Sequence, residues 1–337
     1  MKIAVIGAGV IGRIHAQNVA AHPEATLAVI CDRDPDVASA LADRFGTPAV
    51  QSVGETLDCN PDGAIIASTT ASHGDVAAAC IDAGVPFLCE KPLASDLETA
   101  RRIVESARRA RLVAATAFNR RFDAGYAGIK AAVLAGEIGR VEAVLVTSRT
   151  ASPPSVGFTR TSGGLFGDKG SHFYDLARWL TGEHPVELFA MGSALVNPAF
   201  ADIGEVDTAM ITMRMPGGTL CQFDFSWRAA YGQDERIEVN GSLGMLQTIQ
   251  GPVGHVLASR ADGQSRNGLF PTWQDRFAPT YADELHAFLD AIQTGCAAGL
   301  PSLEDGLAAQ EIADAARESA RSGMPVRLPA DRSRVDR

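Results

Sequence analysis

Residues 2–12 read Lys2-Ile3-Ala4-Val5-Ile6-Gly7-Ala8-Gly9-Val10-Ile11-Gly12, an apolar strand running straight into a glycine-rich turn, and residues 13–21 continue as a helix. A bare G-x-G-x-x-G is a weak signal. Its setting strengthens it here, because a second strand, Thr26-Leu-Ala-Val-Ile-Cys31, ends at Asp32, about twenty residues past Gly12. Each part has a physical reason. Gly7 permits a tight turn, Gly9 lets the backbone approach a pyrophosphate, and Gly12 allows a helix to pack closely on a strand. Phosphates would rest on the free N–H groups of the following helix, beside Val10 and Ile11, where the dipole is positive. Asp32 would accept hydrogen bonds from ribose hydroxyls, which favours NAD. The neighbouring Arg33 leaves NADP possible.

Working outward, strands and helices alternate. Helices are expected over residues 37–45, 75–83 and 97–111, and strands over 49–50, 62–68, 85–89 and 112–117. Such alternation predicts a doubly wound parallel sheet, and apolar strands without polar alternation agree with a sheet covered on both faces. Ligands of such sheets collect at the carboxyl ends of the strands. That rule singles out Ser68, Thr69 and Thr70, His73 just beyond them, and Glu90-Lys91-Pro92. A lysine on a stiff loop beside a cofactor cleft is suited to proton transfer; the plain alternative is a surface lysine paired to Glu90.

After 118–123 (Phe118-Asn-Arg-Arg-Phe-Asp123) the pattern changes. A helix over 124–135 leads to segments of strand character at 141–148, 186–191, 207–213, 219–226 and 235–239, with Pro216-Gly217-Gly218 as a hairpin turn. This predicts an α+β domain with a large, mostly antiparallel open sheet. Helices over 281–294 and 303–322 and a short strand at 325–328 follow. The expected organisation is an α/β Rossmann domain over 1–120, an α+β domain for substrate binding and oligomerisation over 121–328, and a disordered tail over 329–337.

Within the second domain, residues 163–182 carry two stripes at helical spacing. Phe173, Leu176, Ala177 and Leu180 form an apolar face. Asp168, His172 and Asp175 form another line, on a helix expected to run from about Gly167. A carboxylate, an imidazole and a carboxylate in register suit proton transfer, since histidine titrates near neutral pH. The alternative is a capped helix whose Asp168 only complements the dipole.

Composition narrows the class. A net charge of −10 argues against nucleic acid or an anionic membrane as partner. The six cysteines show no C-x-x-C pair, which suits a reducing cytoplasm and no metal site. The immediate strand at Lys2 leaves no room for a signal peptide, and no apolar run approaches membrane-spanning length.

The fingerprint at Gly7 to Gly12, Glu90-Lys91-Pro92 after a strand, and Gly163-Gly164 leading into Asp168-x-x-x-His172-x-x-Asp175 together resemble the glucose–fructose oxidoreductase / inositol dehydrogenase / rhizopine-catabolism family. The likeness runs essentially full length and is strongest toward its inositol 2-dehydrogenase branch, through residues 119–123, 230–232 and 238–244. It implies NAD(P)-dependent oxidation of a ring secondary alcohol of a cyclic polyol or sugar. It also implies a homo-oligomer, dimer or tetramer, formed through the C-terminal sheet. Lys91, Asp168 and His172 inherit the catalytic roles, and Arg121, Asp175 and Tyr231 match positions that hold substrate hydroxyls. Two departures touch the substrate: His172-Phe173-Tyr174-Asp175 stands where many relatives read His-Asp-Phe-Asp, and 149–155 lacks a His and an Asn that some inositol dehydrogenases use.

Overall fold

In the computed structural model, residues 1–249, 253 and 257–329 are described. The first unit comprises Met1–Phe122 with Pro279–Gln310, and the second Asp123–Ala278 with the chain from Glu311 on.

The first unit is built on a six-stranded parallel sheet: β1 (Lys2–Ile6), β2 (Thr26–Cys31), β3 (Ala49–Val50), β4 (Gly63–Ile66), β5 (Phe87–Cys89) and β6 (Ala114–Thr116), in the order β3-β2-β1-β4-β5-β6. Helices α1 (Val10–Ala21), α2 (Pro35–Ala42), α3 (Val53–Asp58), α4 (Thr70–Ala83) and α5 (Leu97–Ala110) connect the strands. Alternate residues of β1 serve opposite cores. Ile3 and Val5 join one buried cluster, Ala4 and Ile6 the other. Both faces are thus covered, which is why these strands read as continuous apolar runs.

The sequence expectation ended this domain near residue 120. The structure returns Pro279–Gln310 to it because Leu285, Phe288 and Leu289 pack in one cluster with Ile3, Val5 and Ile65. They lie on helix α9 (Trp273–Thr294), which starts before its expected position at 281 and keeps Pro279 inside it. Proline ordinarily interrupts a helix. Here buried Phe277 on one side and Leu285 on the other commit both segments to the interior. Helix α3 was not expected. Its Ser52–Glu55 capping box is the signal that was present.

The second unit contains α6 (Ala124–Leu134), α7 (Val156–Ser162) and α8 (Gly170–Thr181). Its seven-stranded sheet takes in β7 (Val141–Arg149), β8 (Glu187–Ser193), β9 (Thr208–Arg214), β10 (Leu220–Ser226), β11 (Asp234–Gly241), β12 (Gly244–Gln247) and β15 (Val326–Arg327), in the order β12-β11-β7-β10-β9-β8-β15. A separate hairpin pairs β13 (Leu257–Arg260) with β14 (Gly263–Arg266). The large sheet is mixed, since β7 and β10 run parallel while the other pairs are antiparallel. Helix α8 lies on one face, with Phe173 against Phe225 (5.6 Å between centroids) and Tyr174 edge-on to Phe223 (5.4 Å). The other face keeps Leu145, Phe189, Met191 and Met210 exposed. Helix α10 (Leu303–Ser322) spans the boundary between the units. The tail expected to be disordered falls almost wholly outside the described residues. Among those described, no helix is long and apolar enough to cross a membrane.

Candidate active site

In the first unit, Gly7 takes a left-handed φ of +105°, and a Cβ there would stand 2.4 Å from the Ala67 carbonyl oxygen. A Cβ on Gly12 would lie 1.8 Å from the Gly7 carbonyl oxygen. Gly9 is different, with nothing within 4 Å of its virtual Cβ. It is also the N-cap of α1 and supplies no side-chain cap to the first-turn amides, at exposed Val10 and half-buried Ile11. At the end of β2 the Asp32 carboxylate accepts from the amides of Ala8 (2.8 Å) and Asp34 (3.0 Å), while Arg33 is exposed. Donor amides, an open approach and an anchored carboxylate fit a dinucleotide.

At the next strand ends, the Ser68 and Ser72 hydroxyls are 2.8 Å apart, and Thr69 caps α4 without a side-chain bond. Helix α4 begins at Thr70, not at the expected 75, which places His73 in its first turn. His73 is buried. Its Nδ1 is 2.9 Å from the Pro92 carbonyl oxygen and its Nε2 3.1 Å from that of Ser68. Burial pushes its pKa down, against the raising effect of those two carbonyls. It braces the loops after β4 and β5 together, a job in addition to the cofactor contact expected of it. Glu90 is buried and Lys91 half-buried, and the Lys91 amide donates to Glu90 Oε2 at 3.3 Å. The Arg121 guanidinium, in the 3₁₀ turn Asn119–Phe122, is paired with Asp305 at 3.0 Å.

In the second unit, the helix expected from Gly167 is divided. Leu165–Lys169 form a π-helical turn, and α8 begins at Gly170. The line from Asp168 to His172 therefore crosses the junction, because a π turn advances each residue less around the axis than an α turn. His172 and Asp175 both lie on α8, at 8% and 0% exposure, and Asp168 is half-buried. The apolar face is as expected: Phe173, Leu176, Ala177 and Leu180 are all buried. What fixes the turn is tertiary. Gly164 has a φ of +66°, and a Cβ there would overlap the Glu205 carboxylate, while Arg317 donates to the Gly163 carbonyl oxygen at 2.9 Å.

Lys169 was missed by the sequence reading. It is buried in this turn and donates from Nζ to Ser148 Oγ (2.9 Å) and Thr150 Oγ1 (2.7 Å). A lysine between Asp168 and Gly170, in a stretch otherwise poor in cations, was the available signal. The Tyr231 hydroxyl donates to Asp234 Oδ2 at 2.7 Å and accepts from Arg149 at 3.2 Å. Arg149 in turn is paired with Asp224. The Tyr231 side chain is about half exposed, and its hydroxyl retains one acceptor position at most.

Comparison with known proteins places the chain in a family. Residues 1–118 match a family model described as an oxidoreductase family, NAD-binding Rossmann fold, and residues 130–328 match that of an oxidoreductase family, C-terminal alpha/beta domain. An inositol 2-dehydrogenase of Rhizobium meliloti is 35% identical over 95% of this chain and 96% of its own. Among solved structures, a myo-inositol dehydrogenase from Corynebacterium glutamicum superposes with a TM-score of 0.92 at 34% identity, covering 98% of this chain and 99% of that one. A scyllo-inositol dehydrogenase from Lactobacillus casei with bound NAD(H) and scyllo-inositol gives a TM-score of 0.90 at 26% identity, over 97% and 98%. With both domain models matched in order and a glycine cradle shaped for a dinucleotide, this chain belongs to the oxidoreductase family that joins an NAD-binding Rossmann fold to a C-terminal alpha/beta domain.

Proposed function

We propose that this protein oxidises a ring secondary alcohol of a cyclic polyol of the inositol kind, with NAD as the acceptor. The observation that carries the reading is the full-length likeness to inositol dehydrogenases in a chain that carries Lys91, Asp168, His172 and Asp175. Bound NAD supplies an acceptor for hydride. The chain's own residues manage the proton. His172 takes it from the reacting hydroxyl, Lys91 donates to the same oxygen and favours the alkoxide, and Asp168 orients the imidazole. Asp175, Arg121 and Tyr231 hold the remaining hydroxyls. The salt bridge to Asp305 holds the Arg121 guanidinium in place.

A substrate with several neutral hydroxyls suits such a mixture of donors and acceptors. A 2-hydroxy acid calls instead for a dedicated bidentate arginine. Activity with myo- or scyllo-inositol, or with glucose, is expected to exceed that with lactate, malate or simple alcohols. Deoxy analogues should be poor substrates, because the unmatched buried group keeps its desolvation penalty. Absorbance of reduced nicotinamide across such a panel measures this, and equal rates on a monohydroxy alcohol refute it.

NAD is preferred over NADP in this reading. With both its oxygens anchored by backbone amides, the Asp32 carboxylate cannot turn away from a 2′-phosphate. We expect kcat/KM for NAD to exceed that for NADP by about tenfold or more, with exposed Arg33 limiting the margin. A preference for NADP overturns the assignment.

The same reading includes self-association through the open sheet, whose outward residues Leu145, Phe189, Met191 and Met210 are exposed. Light scattering at micromolar concentration should give a dimer or tetramer, and a monomer rejects the assembly. A charged residue in place of Met191 should weaken it.

A further inference from the structure

The most anomalous side chain in the first unit is Glu284, on α9. It is completely buried, and among the described residues neither carboxyl oxygen has a hydrogen-bond partner. A buried ionised carboxylate without partners is costly, whereas a neutral carboxylic acid is tolerated. The groups around it come from separate elements. Glu90, after β5, and Arg120, in the 119–122 turn, both act on it electrostatically. His15, on α1, is fully buried, and its Nε2 lies 2.9 Å from Glu90 Oε1. On α9 itself, the Tyr281 ring meets the His15 ring edge-on at 5.5 Å. Thr280, one helical turn before Glu284, accepts from Asn119 Nδ2 at 2.9 Å, and Asn119 accepts from Arg120 at 3.0 Å.

The charge arithmetic of the cluster is uneven. Among the described residues, the Glu284 carboxyl meets the field of a second carboxyl, Glu90, and of one guanidinium, that of Arg120. Glu90 has work for both of its oxygens: one meets His15, and the other accepts the amide of Lys91 at 3.3 Å. Glu284 has work for neither. Burial pushes the Glu284 carboxyl well above the usual range, Glu90 pushes it the same way, and Arg120 opposes both. Were Glu284 to ionise, two carboxylates would repel each other inside the unit, and Glu90 would compete for Arg120 at the expense of the Lys91 turn.

We propose that Glu284 is a positioning residue, a buried neutral acid that leaves Glu90 as the single carboxylate of the cluster and so holds the turn presenting Lys91. The role rests on the reading in which Lys91 acts on the substrate oxygen. Its proton can be read independently of activity. Between the ordinary carboxyl range and its raised folded value, Glu284 is protonated in the folded chain and ionised in the unfolded one. The folded state then binds the extra proton, so this stability is fully present at low pH and is lost as pH rises toward the folded value. Glutamine has no proton to lose.

Thermal unfolding of the full-length wild type and Glu284→Gln is compared from about pH 5 to about pH 8. The Tm difference should move steadily in favour of the variant as pH rises. Parallel curves overturn the proposal, as does a difference moving the other way. Turnover tests the positioning. Glu284→Ala should lower kcat about tenfold with little change in the Kd of NAD, and Glu284→Gln should recover most of that loss. An alanine variant that folds and keeps wild-type kcat overturns the role. If it does not fold, the comparison of glutamine with wild type still decides. Should the wild type show no polyol oxidation at all, the functional reading fails, while the unfolding curves still report whether Glu284 carries its proton.

Discussion

Replacing His172 with alanine is expected to lower kcat by about a thousandfold while moving the Kd for NAD by less than about threefold. The imidazole sits on α8 in the second unit, and the proposed dinucleotide cradle, Gly7, Gly9, Gly12 and Asp32, is in the first. In its proposed role as general base His172 acts as the hydroxyl loses its proton, so the loss falls on kcat. Lys91→Ala should act in the same direction by about a hundredfold, because it removes the donor proposed for the developing alkoxide. Fluorescence quenching measures cofactor affinity separately from steady-state turnover. Either variant retaining near wild-type kcat removes that residue from the proposed chemistry. Helix α8 should remain folded in His172→Ala, since Phe173, Tyr174, Leu176, Ala177 and Leu180 keep its buried face intact.

Gly12→Ala is expected to disturb the fold and cofactor binding together, whereas Gly9→Ala should weaken binding alone. The added methyl at Gly12 would overlap the Gly7 carbonyl oxygen, at 1.8 Å, and that neighbour is backbone with no rotamer to change. Either α1 or the turn must shift, at a cost of about 1–3 kcal/mol or more. Moving the turn also misaligns the amides that meet the phosphates, so the Kd for NAD should rise at least about tenfold. At Gly9 the methyl meets nothing within 4 Å, so Tm should hardly change. The same methyl would occupy the space through which a pyrophosphate approaches. Thermal unfolding without NAD and titration with NAD separate the two effects. A Gly12→Ala protein with wild-type Tm and affinity would falsify this account of the turn.

Much of the architecture was legible because it is written in local patterns. β1 entering the Gly7 turn, α1 following, and β2 ending at Asp32 form a continuous run whose spacing is dictated by strand, turn and helix geometry. Alternating burial along β9 and β10 likewise follows from the two-residue period of a strand. Helix starts were placed late. The sequence reading began α4 at 75 and α9 at 281, after residues of weak helix propensity or a proline, and packing carried both helices back to Thr70 and Trp273.

The candidate site was legible as a set of residues and less so as an arrangement. Asp168, His172 and Asp175 stand at helical spacing in the chain, yet the π turn at Leu165–Lys169 takes Asp168 off the regular line. That turn is anchored by Arg317 from α10, far along the sequence, which no local spacing encodes. Buried Lys169 acquires its meaning from Ser148 and Thr150, at the end of β7 and just past it.

By itself the sequence determined the glycine turn between β1 and α1, the alternating parallel sheet, the change to an antiparallel pattern beyond residue 123 and the apolar stripe of α8, since periodicity records which face of each element avoids water. Only the tertiary structure decided that α9 completes the first unit's core, and that His15, Glu90, Arg120 and Glu284 share one buried cluster. Which charges meet inside a protein depends on where distant segments pack, and a chain carries no fixed spacing for a contact made between its 15th, 90th, 120th and 284th residues.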